Sequence, residues 1–203
     1  MSEPHVVAKG GGARLDAVRW PVHTERLALR PAEAADAEAT WRFRQLDEVT
    51  RWLTGRSASL DEHRLTFMDP DRLSKTLVVE LDGEVIADLM LEIKDGFSQR
   101  DVAEGALGVE AELGWVFDPA HTGHGYATEA VRELLRLSFE ELGLRRVIAN
   151  CFAENEASWR LMERVGMRRE THTIREALHR SGEWLDGMGY AILADEWQAA
   201  ARR

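Results

Sequence analysis

The chain has 203 residues, 44% of them hydrophobic and 31% charged, the size and balance of one globular domain with a substantial core. Its formal net charge of -10 argues against nonspecific nucleic-acid binding, which needs a cationic surface, and no apolar run approaches membrane-spanning length. A single cysteine, Cys151, excludes an internal disulfide framework and fits a reducing compartment, so the expected location is the cytoplasm.

Residues 1–20, with Gly10-Gly11-Gly12, lack a continuous apolar stretch and read as a flexible leader, not a secretory signal. One domain is expected over 21–203. Residues 24–31 alternate apolar and polar as a first strand would. Residues 32–43 and 47–53 read as one or two helices carrying Trp41, Phe43 and Trp52, aromatics whose first expectation is core packing. Apolar runs at 76–81 and 84–93 flank Asp82-Gly83, a hairpin signal. A polar, glycine-containing loop over 94–108 precedes a strand at 109–117, which ends at Asp118-Pro119. Ala127, Ala130, Val131, Leu134, Leu135, Phe139 and Leu142 then recur at helical spacing up to Gly143. A strand at 145–152, a helix at 155–165 closed by Gly166, and strands near 170–175 and 188–193 complete the order. This predicts an α/β (α+β) domain with a mixed, mostly antiparallel sheet, one parallel crossover and about four flanking helices. It is not the regular alternation of a doubly wound dinucleotide fold.

The chemistry centres on the junction between the 109–117 strand and the helix after it. Gly123 and Gly125 sit where first-turn N–H groups lack internal partners and the helix dipole favours an anion, so the stretch is a candidate pyrophosphate cradle. A Walker A loop is excluded, because no Gly-Lys-Ser/Thr follows. The dinucleotide fingerprint wants Gly or Ala where Thr128 stands. His121 and His124 lie on a turn without cysteine or clear carboxylate partners, so no metal site is expected. Glu129, in the first helical turn, reads as structural, complementing the dipole. Cys151, on an apolar strand, reads as a buried hydrophobe.

The run Gly-Trp-Val-Phe-Asp-Pro-Ala-His-Thr-Gly-His-Gly-Tyr-Ala-Thr-Glu-Ala, residues 114–130, resembles the acetyl-CoA motif of the GNAT N-acetyltransferase superfamily. The family pattern Gln/Arg-x-x-Gly-x-Gly/Ala falls on Thr122, Gly125 and Ala127, with Thr122 departing from it. Asn155-Glu156-Ala157-Ser158 with Gly166-Met167 resembles the second family motif. Thr24-Glu25-Arg26-Leu27-Ala28-Leu29-Arg30-Pro31 and the tail from Ser181 to Leu193 resemble the branch of ribosomal-protein N-terminal alanine acetyltransferases (RimJ/RimL-like).

The resemblance implies a single GNAT-like domain whose sheet splays open, with acetyl-CoA as cosubstrate and no metal. It implies cosubstrate contacts along Trp115, Val116 and Phe117, over Thr122, Gly123, His124, Gly125, Tyr126 and Ala127, and at Asn155 and Ser158. Glu112 is the implied general base. Many relatives carry a tyrosine four residues beyond the serine as the acid for the thiolate. Here that place is Met162, which leaves Ser158 as the candidate acid. Trp41, Trp52 and Asp186 are the expected acceptor-side residues, with Trp184 read as packing. The implied activity is transfer of acetyl to a primary amine, of a protein N-terminus or a small molecule, by direct attack in a ternary complex. Acidity suits a cationic amine or simply solubility. Neither nucleic acid nor membrane is expected as a partner, and a homodimer is compatible with the pattern. Two other readings stay open: an acyl-CoA-binding protein that has lost turnover and, more distantly, a dinucleotide-dependent oxidoreductase.

Overall fold

The computed structural model describes residues 15–202. Its first residues already belong to the packed body: Leu15–Ala17 forms a 3-10 turn, Val18 is buried, and Trp20 Nε1 donates to the Leu15 carbonyl at 2.9 Å. The leader expected over 1–20 therefore does not extend through 15–20, and its remainder lies outside the described residues.

Strands β1 (Val22–His23) and β2 (Ala28–Pro31) replace the single strand expected at 24–31. Helix α1 (Asp36–Arg44) begins later than the alanine-rich pattern suggests. The reason is local: the Asp36 carboxylate accepts from Glu33 N at 2.7 Å and from both Arg30 terminal nitrogens at 2.7 and 2.8 Å, pinning the helix start to β2. One-turn α2 (Asp47–Thr50) follows, then α3 (Leu60–Phe67) and α4 (Pro70–Leu73), two helices in a stretch that carried no sequence assignment. Ser59 and Asp69 cap them through their side chains.

Strands β3 (Thr76–Leu81) and β4 (Glu84–Lys94) form the expected hairpin, with Asp82 and Gly83 at φ 51° and 83° as a type I′ turn requires. Strand β5 (Glu110–Phe117) leads through a 3-10 turn into α5 (Tyr126–Arg136), which buries Ala130, Val131, Leu134 and Leu135. Strand β6 (Arg146–Phe152), helix α6 (Glu156–Arg164), strands β7 (Arg168–Leu178) and β8 (Trp184–Leu193), and helix α7 (Ala194–Ala201) complete the chain. Seven α-helices are thus described, against about four expected; the surplus is α3, α4 and α7.

The eight strands lie in the order β1-β2-β3-β4-β5-β6-β8-β7, antiparallel except for β5 beside β6. The sheet is covered on both faces. Ala87, Leu89, Leu91, Ala111 and Leu113 join α5 and α6 in the larger core, while Val78, Val85 and Val116 join Phe43 of α1 and Phe67 of α3 in the smaller. Alternation along a strand forces this division, and it leaves Asp88, Met90, Glu112 and Gly114 on the α1–α3 side.

Candidate active site

Strand β5 pairs with β6 at only three positions, the last being Glu112↔Ile148. Beyond it β5 stays with β4 as far as Phe117↔Ala87, and β6 stays with β8 as far as Phe152↔Gly187. The two parallel strands therefore part, and a cavity of about 870 Å³ opens between and beside them. Trp115, Val116, Phe117, Thr122, Ala127, Asn155 and Ser158, all expected cosubstrate residues, line it. The parting leaves the Leu113–Phe117 edge of β5 free to pair with the amides of an extended ligand.

At one end stands the glycine loop. Asp118 Oδ1 accepts from Ala120 N at 2.9 Å, and Thr122 donates to the Pro119 carbonyl through both its N–H (3.2 Å) and its hydroxyl (2.9 Å). The side chain replacing the family's Gln or Arg is thus turned back into its own loop. Gly123 and Gly125 have φ of 82° and 83°, a region that favours glycine, and Gly125 is the N-cap of α5. A Cβ on Gly123 would meet nothing within 4 Å; one on Gly125 would meet the Arg26 guanidinium at 3.6 Å. The loop therefore presents an open backbone face and unsatisfied first-turn N–H groups, which fit a phosphate. Gly123, His124, Gly125 and Tyr126 form the rim beside the cavity, outside its lining. His124 stacks on Tyr126 at 5.6 Å, while His121 Nδ1 faces Asp118 Oδ2 at 4.0 Å, so the two histidines do not converge. Among the described residues no group of three or more His, Cys, Asp or Glu could hold a metal ion.

Glu129 is the hub of a clamp. It accepts from the Thr24 hydroxyl (2.5 Å), Arg26 N (2.9 Å) and Arg26 Nε (2.8 Å). Arg26 in turn donates to the His124 carbonyl at 2.9 Å and lies 4.6 Å from the Tyr126 ring centre. The first turn of α5 is thereby tied to the segment entering β2. Glu129 is structural, as its position suggests. Arg26 was not singled out in the sequence, although a glutamate in a helix's first turn, itself awaiting a cation, was a signal for it.

Glu112 is the last paired residue before the strands separate, and it lines the cavity. Its carboxylate accepts from Lys94 Nζ at 2.7 Å and from Asn150 Nδ2 at 3.2 Å. Ser158 is half-buried, with its hydroxyl beside the Cys151 thiol, and both line the cavity. Burial pushes that thiol up to about 11, so Cys151 is a protonated thiol at neutral pH and more than the inert hydrophobe expected: it faces the cavity. Asn155 occupies the N-cap position of α6, yet its side chain makes no capping hydrogen bond and lines the cavity. Met162 is fully buried in the core, so the position carrying tyrosine in many relatives offers no proton. Tyr190 does not replace it: its hydroxyl donates to Glu163 Oε1 at 3.0 Å, burial holds it up at about 12, and it lies outside the lining.

The other side of the cavity, where the acceptor was expected, is formed by residues of α1–α4 with β3 and β4. Trp41 lines it with its ring 5.4 Å from that of His63; Trp52 lines it against Phe152 and His179, at 5.9 and 5.7 Å. The hairpin tip between β7 and β8 reaches over this end, where Arg180 donates to the Leu53 carbonyl at 2.5 Å. Asp186 is elsewhere. Its carboxylate accepts from Arg175 N and meets His172 Nε2, both at 2.9 Å, in the irregular part of the β7–β8 ladder, and it does not line the cavity. Trp184, expected as packing, is exposed. Sequence reading missed the polar floor of this lobe. Asp88 faces Arg44 through a two-pronged pair (Nε–Oδ1 2.6 Å), buried on the carboxylate side. Burial opposes the Arg44 charge, but Asp88 outweighs it and the guanidinium stays charged. His63 bonds the Thr40 hydroxyl at 3.0 Å, and burial with Arg44 and Arg72 pushes its pKa down to about 4.

A sheet splayed at a parallel pair, with a phosphate-type cradle at the mouth of the split and a second lobe across it, defines an acyl-CoA-dependent transferase. Residues 26–168 match the acetyltransferase (GNAT) domain, and the chain belongs to that family. It is 30% identical over 179 residues to the uncharacterized N-acetyltransferase YnaD of Bacillus subtilis, covering 87% of this chain and 98% of that protein. Among solved structures it is similar to a GNAT-family acetyltransferase from Bacillus anthracis, with 30% identity and a TM-score of 0.72 over 86% of this chain and 98% of that one. It is also similar to RimJ of Mycobacterium smegmatis, solved with a CoA-disulfide, at 26% identity and TM-score 0.66 over 87% and 90%. The protein is an acyltransferase of the N-acetyltransferase kind, with acetyl-CoA as its cosubstrate. No helix among the described residues is long and apolar enough to cross a membrane.

Proposed function

We propose that this protein transfers an acetyl group to a primary amine by direct attack within a ternary complex. The observation that carries the reading is the parting of β5 from β6 at Glu112, with the open glycine loop at its mouth and a second lobe on the far side. Acetyl-CoA, when bound, supplies the thioester. The Gly123–Ala127 loop receives its pyrophosphate, with Arg26 as a nearby cation. The free edge of β5 at Trp115–Phe117 orients the pantetheine arm, and Asn155 and Ser158 hold its far end. Glu112, positioned by Lys94 and Asn150, draws in the acceptor ammonium and takes its proton. Ser158, joined to Cys151, passes to the leaving thiolate the second proton that the acylated nitrogen sheds. The acceptor enters through the lobe of Trp41 and Trp52. Spermidine and ribosomal-protein N-termini are acceptors named for structural neighbours of this fold, and both are primary amines. The reading places the enzyme in the cytoplasm and makes no use of nucleic acid or membrane.

The test is calorimetric titration with acetyl-CoA of the wild-type chain and of Gly125→Glu, which puts a side chain and a negative charge at a φ of 83° where the pyrophosphate is received. Binding by the wild type that is lost in the variant is the expected result, followed by thiol release with a panel of amines. Absence of binding by the folded wild type overturns the reading. Binding without thiol release for any amine moves the conclusion to an acyl-CoA-binding protein.

A further inference from the structure

One cation of the acceptor lobe, Arg72, has no carboxylate partner among the described residues. Arg44 and Asp88 neutralise one another. Arg72, from α4, lines the same lobe half-buried, and its guanidinium makes no hydrogen bond or ion pair to any described residue; it lies 5.6 Å from the Phe67 ring centre. Burial and then the charge of Arg44 push its pKa down, with Asp88 pulling the other way, so the three charged groups sense one another. His63 stays neutral beside them. The remaining carboxylates of the cavity are occupied or remote: Glu112 is held by Lys94 and Asn150, Glu62 accepts from Ala58 N at 2.7 Å, and Glu48 is at the exposed rim.

A guanidinium taken partly out of water without a carboxylate is costly, and an arginine fork is shaped to receive one from a ligand. We propose that the acceptor is an amine that also bears a carboxylate, and that Arg72 receives the carboxylate in the acceptor lobe. The inference rests on the acetyltransferase reading and names the substrate class of the same cavity. Arg72 is anchored beside β3, its carbonyl accepting from the Thr76 hydroxyl at 2.7 Å, and β3 lies two strand spacings, roughly 10 Å, from β5. Several bonds therefore lie between the acceptor's amine and its carboxylate.

Product-type ligands test this without turnover. The full chain with saturating CoA is titrated with N-acetyl amino acids of increasing amine–carboxylate spacing, each beside its carboxamide. The acids are expected to bind roughly tenfold or more tightly than their amides at the preferred spacing. Arg72→Gln is expected to erase that preference, Arg72→Lys to keep part of it, and both to bind acetyl-CoA as the wild type does. Equal binding of acid and amide, a preference that survives Arg72→Gln, or no binding by any pair overturns the proposal. Should Arg72→Gln fail to fold, the wild-type acid–amide comparison and Arg72→Lys still decide it. Loss of acetyl-CoA binding by the wild type would sink the acetyltransferase reading separately.

Discussion

Ser158 owes its proposed role to position, because a serine hydroxyl is a weak acid. It stands in the cavity next to a thiol held at about 11, and the place where many relatives have a tyrosine is filled by the buried Met162. Ser158→Ala is expected to lower kcat on the order of 10²-fold, with a much smaller loss of affinity for acetyl-CoA. A steady-state comparison showing unchanged kcat removes Ser158 from the proton path. His63 permits a second prediction. The unfolded chain protonates it near the ordinary 6.5, the folded chain only at about 4. Its folded pKa is depressed, so stability present above 6.5 is lost as pH falls through about 4, by on the order of 3 kcal/mol. Thermal melts between about pH 7 and 4 should show a shallower acid loss for His63→Gln than for the wild type. Identical slopes would assign the acid sensitivity to other groups.

Segments, more than single residues, shape the anion cradle. The turn before β2 and the first turn of α5 are over a hundred residues apart in the chain, yet Arg26 and Glu129 hold them together. Arg26→Ala releases the loop at the His124 carbonyl and removes a cation beside Gly125. The expected result is roughly fivefold weaker acetyl-CoA binding, with kcat at saturating acetyl-CoA unchanged. Full-strength binding would show that the glycine loop holds its shape unaided. The helices α3 and α4 teach a different lesson. Their starts carry N-cap signals that the sequence reading left unused, Ser59 before Glu62 and Asp69-Pro70. Their bodies were not, because α3 buries only His63 and Phe67 and turns other residues to a polar cavity, so no apolar stripe marks it.

Across the whole molecule, the sheet is joined at its split by three β5–β6 pairs and is otherwise spread apart by the cavity. A ligand filling that space binds the folded chain and finds no site in the unfolded one. Acetyl-CoA at a hundredfold excess over its Kd should therefore add about 2.7 kcal/mol, and raise Tm by roughly 5–10 °C for a chain of this size. Calorimetric scans with and without acetyl-CoA check it, and an unmoved Tm would mean that the split is not the binding site.

What the sequence determined by itself was local. Strand alternation, the Asp82-Gly83 turn, the glycines before α5 and after α5 and α6, and the family motifs placed most elements within a few residues. They also placed the glycine loop before α5, since each depends on neighbours a few positions away. Tertiary structure alone decided where β5 leaves β6 and that Lys94 and Asn150 would grip Glu112. It also decided that Asp186 would serve a strand irregularity instead of the acceptor mouth, and that Arg44, His63, Arg72 and Asp88 would share one floor. Those outcomes join residues from separate strands and helices. Which of them meet depends on the register and packing of the whole sheet, a property no local pattern carries.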